Sequence, residues 1–103
     1  MAKFENVIIT KEANIYYDGK VTSRTVEFSN GEIKSLGIML PGEYTFGTND
    51  AEIMEMMSGD LEIKLPNEEW KTLSTPETFE VPANSSFDLK IKTVTDYCCS
   101  YIK

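Results

Sequence analysis

Hydrophobic and polar residues alternate along most of this chain, in short stretches separated by turn residues. In residues 21–28 and 33–39 the side chains fall into two alternating rows, a period near two that is typical of β-strands. Ser29-Asn30-Gly31, between these stretches, predicts a hairpin because an Asn-Gly pair readily takes positive φ at both central positions. The same kind of pattern predicts strands over residues 13–17, 43–48, 61–65, 70–73, 78–81, 87–92 and 96–102.

Residues 51–57 are the ambiguous part of the pattern. Their sequence, AEIMEMM, suits a helical turn by propensity. It nevertheless alternates with a period of two, and a Ser-Gly pair ends it before the next strand. We therefore predict a strand with two rows of side chains: Glu52, Met54 and Met56 on one face, and Ile53, Glu55 and Met57 on the other.

Many short strands with turn signals between them indicate a β-sandwich or a β-barrel. The 103 residues suffice for one hydrophobic core, and they contain no linker and no repeat. We predict an all-β fold with little or no helix, in one domain over residues 1–103, with residues 1–12 as an N-terminal arm or edge strand. The apolar run at residues 7–9 is too short for a membrane span or a secretory signal, so we expect no membrane association.

Charge and cysteine content restrict the possible partners. The formal net charge is −7, which argues against nucleic-acid polymers because they require a basic face. The two cysteines, Cys98 and Cys99, are adjacent, and a disulfide between neighbours would be strained. We therefore expect reduced thiols and a cytoplasmic protein.

Residues 41–59, PGEYTFGTNDAEIMEMMSG, resemble the first characteristic segment of a cupin barrel. They contain a Pro-Gly turn, a short strand, a second turn, and Glu52 seven positions before Gly59. Residues 79–87 resemble the second cupin segment, in which a strand meets a Pro turn and re-enters the barrel. Metal-binding cupins carry histidines in the first segment, whereas this chain has no histidine. We therefore expect a cupin-type β-barrel (jelly roll) without a metal site.

Five blocks together resemble the small single-domain cupins of the pyrimidine/purine nucleoside phosphorylase family. The blocks, in order, are residues 13–24, 36–46, 41–59, 79–87 and 95–101. The resemblance implies a cytoplasmic enzyme of broad specificity that uses inorganic phosphate as co-substrate. It would split purine and pyrimidine nucleosides into free base and α-D-(deoxy)ribose 1-phosphate. It also implies a homodimer that is metal-independent and needs no cofactor.

Phosphate requires hydrogen-bond donors, and one block offers three of them close together. Lys20 and Arg24 are neighbouring cations, and Ser23 adds a hydroxyl; Arg24 has the bidentate geometry that suits phosphate. On a regular strand Lys20 and Arg24 share one face and Ser23 points to the other, so all three line one pocket only if the strand is bulged or turns at Gly19. The alternative is that both cations are solvated surface charges.

The base and ribose require a stacking surface and polar partners. Tyr44 and Phe46 share a face of the strand after the Pro-Gly turn, and Tyr44 is the stronger candidate because its hydroxyl needs a partner when buried. Phe46 and Tyr97 are further candidates for substrate binding; Tyr97 shares a row with Cys99 and Tyr101, and either that row or Cys98, Ser100 and Ile102 faces the barrel.

Glu52 and Tyr44 are the predicted catalytic residues. Strand alternation puts Glu52 and Glu55 on opposite faces, so one carboxylate faces inward, and the cupin pattern assigns that position to Glu52. A buried carboxyl without a cation has a raised pKa and can act as an acid or bind ribose hydroxyls. Both cysteines are predicted to be packing residues, because no histidine is available to generate a thiolate.

A different class of function remains open from the sequence. Because no obvious acid–base pair appears, the alternative to phosphorolysis is a non-catalytic cupin that binds a sugar or nucleotide. A metal-dependent isomerase or dioxygenase is disfavoured, since those sites are built mainly on histidine.

Overall fold

The computed structural model describes residues 2–103, and they form eleven β-strands. The only helical segment among these residues is a short 3-10 turn, Tyr17–Gly19, so the predicted all-β fold is confirmed, as is the strand over the ambiguous stretch. None of these residues belongs to a helix long and apolar enough to cross a membrane. The strands are β1 (Ile8–Ile9), β2 (Asn14–Tyr16), β3 (Val21–Glu27), β4 (Ile33–Met39), β5 (Gly42–Gly47), β6 (Ala51–Ser58), β7 (Leu61–Lys64), β8 (Lys71–Leu73), β9 (Glu77–Val81), β10 (Ser86–Ile91) and β11 (Thr95–Ile102).

The strands form two antiparallel sheets that face each other. The seven-stranded sheet has the order β1-β3-β4-β11-β6-β9, and β2 pairs with β3 beside β1. The four-stranded sheet has the order β5-β10-β7-β8. Alternate residues of each strand point between the sheets, and burial of their apolar side chains stabilises the fold. Fully buried members of this core include Met39, Met56, Leu61, Ile63 and Leu89.

The β3–β4 hairpin forms where it was predicted, but its turn differs in detail. The carbonyl of Phe28 accepts a hydrogen bond from the Gly31 N–H at 3.0 Å, and Gly31 has a φ of +92°. Asn30 does not take positive φ. Its side-chain oxygen instead accepts a hydrogen bond from the Glu32 N–H at 3.0 Å, an Asx-type contact that competes with the two-residue positive-φ turn.

Strand β11 lies at the centre of the seven-stranded sheet and pairs along its length with β4 on one side and β6 on the other. In these ladders Cys99 lies opposite Ser35 and Met54, and Tyr101 lies opposite Glu52. A register shift follows Asp96, which is typical of a β-bulge and leaves Met57 of β6 unpaired. Because the bulge lies beyond Met56, the inward row of Glu52, Met54 and Met56 results from regular strand alternation alone.

Gly37 of β4 allows the Tyr97 ring to cross the sheet. The two residues are paired in the β4–β11 ladder, and the Tyr97 hydroxyl reaches past β4 to donate to the Thr22 carbonyl on β3 at 3.3 Å. A Cβ at position 37 would lie 2.8 Å from that hydroxyl and would also clash with the Thr22 carbonyl oxygen. A side chain at position 37 is therefore excluded by the ring that fills its place.

We predict that Gly37→Ala destabilises the protein by about 1–3 kcal/mol, because overpacking forces Tyr97 or β3 to move. The measurement is urea unfolding. Gly47→Ala is the matched control, since a Cβ there meets only the Ser85 carbonyl oxygen at 3.8 Å, and it should change stability by less than about 0.5 kcal/mol. Equal stability of the two variants would contradict this account of Gly37.

Candidate functional site

A cavity of about 360 Å³ lies between the inner faces of the two sheets. Its volume falls within the range that is usual for small-molecule sites. The seven-stranded sheet supplies most of its wall, and β5, β10 and the loop after β5 supply the rest. The seven-stranded sheet contributes the polar residues Ser23, Ser35, Glu52, Tyr97, Cys99 and Tyr101, with Met39 and Met54 among them, and the aromatic residues Phe46 and Phe87 lie on the facing sheet, where Tyr16 packs against Phe46.

The first side of the cavity is a wall of hydroxyl, thiol and carboxyl groups. Adjacent strands bring these groups together because their inward rows are in register. The Ser35 and Tyr101 hydroxyl oxygens are 3.1 Å apart and share a hydrogen bond. Asn14 donates from its side-chain amide to the Ser23 hydroxyl at 3.3 Å, and the Ser23 hydroxyl also forms a hydrogen bond with the Tyr97 side chain that partly lowers the Tyr97 pKa. This polar wall therefore offers several donors in a fixed arrangement.

The second side of the cavity is aromatic and apolar. The ring centroids of Phe46 and Phe87 are 6.0 Å apart, and Tyr16 packs edge-on against Phe46, also at 6.0 Å. Met39 and Met54, on the seven-stranded sheet, add flexible thioether side chains to the lining. A flat heterocycle placed here would contact aromatic rings, while polar groups attached to it would face the polar wall.

The Glu52 carboxyl is half-buried in the polar wall, and its pKa is raised. Burial is the main cause, the Cys99 thiol lowers the pKa in part by hydrogen bonding, and the negative charge of Asp50 raises it further. A raised pKa extends the protonated form of Glu52 to higher pH than for an exposed glutamate. The carboxyl is therefore suited to donating a proton or a hydrogen bond.

The neighbouring hydroxyl and thiol groups are held in their protonated forms. Burial raises the pKa of Tyr97 to about 12, and it also raises the pKa of Tyr101. The pKa of the Cys99 thiol is raised by burial and then by the negative charge of Glu52. These groups act as neutral hydrogen-bond donors, and Cys99 is not activated as a thiolate nucleophile.

Four of the predicted site residues line the cavity: Ser23, Phe46, Glu52 and Tyr97. Strand alternation left open which row of β6 and which row of β11 faces the cavity, and the pairing register between the strands decides both. On β6 the row containing Glu52 faces inward and the row containing Glu55 does not, and on β11 the inward row is Tyr97, Cys99 and Tyr101. Their roles in binding or catalysis remain predictions.

The other three predicted site residues are not brought to the cavity. Tyr44 is buried beside it, and its hydroxyl is already used, donating to the Leu40 carbonyl oxygen at 2.6 Å. Lys20 is exposed, and Arg24 lies on the outer face, where its Nε donates to the Lys11 carbonyl oxygen at 3.3 Å. For Arg24 the reason is regular strand alternation: β3 is not bulged between Ser23 and Arg24, so an inward Ser23 places Arg24 on the outer face.

Several lining residues were not predicted as site residues. Ser35 and Tyr101 come from strands that are distant in sequence, and only the β4–β11 ladder joins them. Asp50 sits in the loop before β6 and Phe87 on the facing sheet. The row of Tyr97, Cys99 and Tyr101 was the available signal, but one sequence cannot show which row faces inward.

Within residues 2–103 no three His, Cys, Asp or Glu side chains are grouped as a metal site would require.

Comparisons with known proteins agree with this architecture. The profile of the pyrimidine/purine nucleoside phosphorylase family matches residues 11–101. The chain is 77% identical over 103 residues to a pyrimidine/purine nucleoside phosphorylase of Sulfurimonas denitrificans, with 100% of each chain covered. A crystal structure of a protein of unknown function from Acinetobacter sp. ADP1 has a TM-score of 0.92 at 35% identity, covering 97% of this chain and 98% of that one.

The cupin-type fold is confirmed by a further solved structure. An RmlC-like cupin from Shewanella frigidimarina matches with a TM-score of 0.70 over 97% of this chain and 86% of that one, at 14% identity. That degree of identity is informative about the fold alone. The match to the family profile and the identity to its members over the full chain go further: this chain belongs to the pyrimidine/purine nucleoside phosphorylase family.

Proposed function

We propose that this protein uses inorganic phosphate to split purine and pyrimidine nucleosides into a free base and α-D-(deoxy)ribose 1-phosphate. The observation that carries the proposal is the two-sided cavity, in which an aromatic side faces a wall of neutral hydrogen-bond donors around Glu52. A nucleoside has the same two-sided character, with a flat base and a polar pentose. Family membership supports the same reaction.

The base would lie against the aromatic side. Phe46, Phe87 and Tyr16 provide ring faces and edges, which contact any heterocycle irrespective of its hydrogen-bonding pattern. Met54 can adjust its side chain to bases of different size. Broad specificity for purines and pyrimidines follows from such a wall, because it contains few groups that would reject one class.

Glu52 would act on the departing base. In the reaction a phosphate oxygen bonds to the anomeric carbon, and the electron pair of the N-glycosidic bond leaves with the base. The protonated Glu52 carboxyl would give its proton to that base and would later be reprotonated from phosphate or water. A positioned acid of this kind contributes roughly 10²–10⁴-fold to a rate.

Phosphate would be bound by neutral donors. The cavity lining includes two acidic side chains, Asp50 and Glu52, and among residues 2–103 no Lys or Arg contributes to it. The Ser23 and Tyr97 hydroxyls lie side by side on the cavity wall, and the Ser35–Tyr101 pair lies on the next strands. Confinement of these donors away from bulk water strengthens each hydrogen bond to an anion. The homodimer, the cytoplasmic location and the independence of metals and cofactors that the resemblance implies remain predictions.

Phosphate-dependent release of base is the direct test of the proposed reaction. Purified protein incubated with uridine or adenosine should release free base only when inorganic phosphate is present, together with an equal amount of pentose 1-phosphate. Chromatography of the products measures both. Saturable nucleoside binding without base release at high protein concentration would favour the non-catalytic alternative and would overturn the proposal.

Replacing the half-buried Glu52 carboxyl should slow the chemical step more than it weakens nucleoside binding. Glu52→Gln removes the proton donor but keeps the size of the side chain, so kcat should fall roughly hundred- to ten-thousandfold while nucleoside KM changes less. Glu55→Gln, on the other face of β6, is the matched control and should leave kcat unchanged.

The pH profile tests the same role of Glu52. The acid form is present below its pKa and is lost as the pH rises through it, so the raised pKa should keep wild-type kcat high at low pH and let it fall as the pH increases. The residual activity of Glu52→Gln should lack this fall. A wild-type kcat in the Glu52→Gln variant would rule out Glu52 as the general acid.

The position of phosphate can be tested with three single variants. Ser23→Ala should raise the phosphate KM roughly tenfold or more, since it removes a hydrogen bond to a charged acceptor. Lys20→Gln and Arg24→Gln should change it by less than about twofold, because both side chains are exposed outside the cavity and screened by solvent. The reverse ranking in steady-state kinetics would place phosphate at the outer face of β3.

A further inference from the structure

Tyr17, which follows β2 of the seven-stranded sheet, connects the two sheets by hydrogen bonds to Thr45 of the four-stranded sheet. Its hydroxyl donates to the Thr45 carbonyl oxygen at 2.6 Å and accepts from the Thr45 N–H at 3.0 Å. Thr45 belongs to β5, which pairs with β10 and forms the open edge of the four-stranded sheet. Unpaired N–H and C=O groups at such an edge normally face water or another strand. Here the Tyr17 hydroxyl binds the N–H and C=O groups of Thr45 that a neighbouring strand would otherwise bind.

The backbone at Tyr17 is strained. Tyr17, Asp18 and Gly19 have φ angles of +51°, +55° and +90°, three successive residues in a region that favours glycine. A bulky side chain is disfavoured there by contact between its Cβ and the backbone. A strained conformation persists only where the surrounding contacts compensate for it. The two hydrogen bonds to Thr45 are contacts of this kind.

The Tyr17 ring also packs against side chains that flank Thr45. Its centroid is 4.9 Å from that of Tyr44 and 5.6 Å from that of Phe46. The preceding residue, Tyr16, packs edge-on against Phe46 at 6.0 Å. Tyr16 and Phe46 line the cavity, whereas Tyr17 does not. Tyr17 therefore packs against Phe46, an aromatic residue of the cavity lining, without lining the cavity itself.

We propose that Tyr17 is a positioning residue, whose hydroxyl ties β5 to the turn between β2 and β3 and thereby holds Tyr16 and Phe46 together as the surface that receives the nucleoside base. The kinetic consequence rests on the proposed phosphorolysis, whereas the mechanical consequence concerns the ligand-free protein alone. Tyr17 contacts neither the base nor the reacting atoms in this arrangement. Its effect is on how tightly the base is held.

The test compares Tyr17→Phe with Thr45→Val. The first variant keeps the ring contacts and removes both hydrogen bonds. The second removes the hydroxyl that donates from Thr45 to Asp88 at 2.7 Å but keeps the Thr45 backbone groups that Tyr17 binds. Both variants therefore lose one hydroxyl at the same place, and only one loses the connection between the sheets.

Three readouts are expected to respond in Tyr17→Phe and to match the wild type in Thr45→Val. Amide hydrogen exchange in Gly42–Gly47 should become roughly three- to tenfold faster, as expected for loss of a neutral hydrogen bond. A neutral maleimide should label Cys99, on the cavity wall, faster than in the wild type, with Cys98 on the other face of β11 as the internal reference. Nucleoside KM should rise severalfold with kcat changed by less than about twofold.

Each result decides a definite part of the proposal. Unchanged exchange and unchanged Cys99 labelling in Tyr17→Phe would overturn the connection between the sheets. Faster exchange with unchanged nucleoside KM would overturn the role in holding the base. A wild-type protein without turnover would overturn the proposed phosphorolysis instead, and exchange and labelling would still decide whether Tyr17 positions the aromatic side.

Discussion

The pairing of β11 with both β4 and β6 is the constraint on which the site depends. Side chains alternate along a strand with a period of two, so a slip of one residue in either ladder would turn Tyr97, Cys99 and Tyr101 away from the cavity. It would also separate the Ser35 and Tyr101 hydroxyls, which belong to strands far apart in the chain. The β-bulge near Asp96 lies outside this stretch, so β11 pairs with β6 without interruption from Tyr97 to Ile102.

The cavity that results is electrostatically unusual for a site that would bind phosphate. Its lining includes Asp50 and Glu52, and within the part of the chain that the structure describes it includes no Lys or Arg to balance them. Burial and the charge of Asp50 then favour the protonated form of Glu52, while Cys99, Tyr97 and Tyr101 remain neutral. The same acidic side chains that weaken the attraction for an anion lie among a row of neutral hydrogen-bond donors.

Two local features hold this arrangement in place. Gly37 leaves room for the Tyr97 ring to cross β4 and reach the Thr22 carbonyl, so a residue without a side chain fixes the position of one that lines the cavity. On the opposite side the strained backbone of Tyr17 is compensated by its contacts with β5 and with Phe46. In both cases an aromatic hydroxyl bonds to backbone of another strand, which restricts the ring more than packing alone would do.

The sequence by itself determined the strands, the positions of the turns between them and the alternation within each strand, because these depend on neighbouring residues along the chain. It also restricted the chemistry, since a chain without histidine has no histidine-based metal site or nucleophile activation, and the five blocks identified the family. Only the tertiary structure decided which row of β6 and β11 faces inward, and that Ser23 reaches the cavity while Lys20, Arg24 and Tyr44 do not. Those outcomes depend on the register between strands and on the facing sheet, which are set by contacts between residues far apart in sequence.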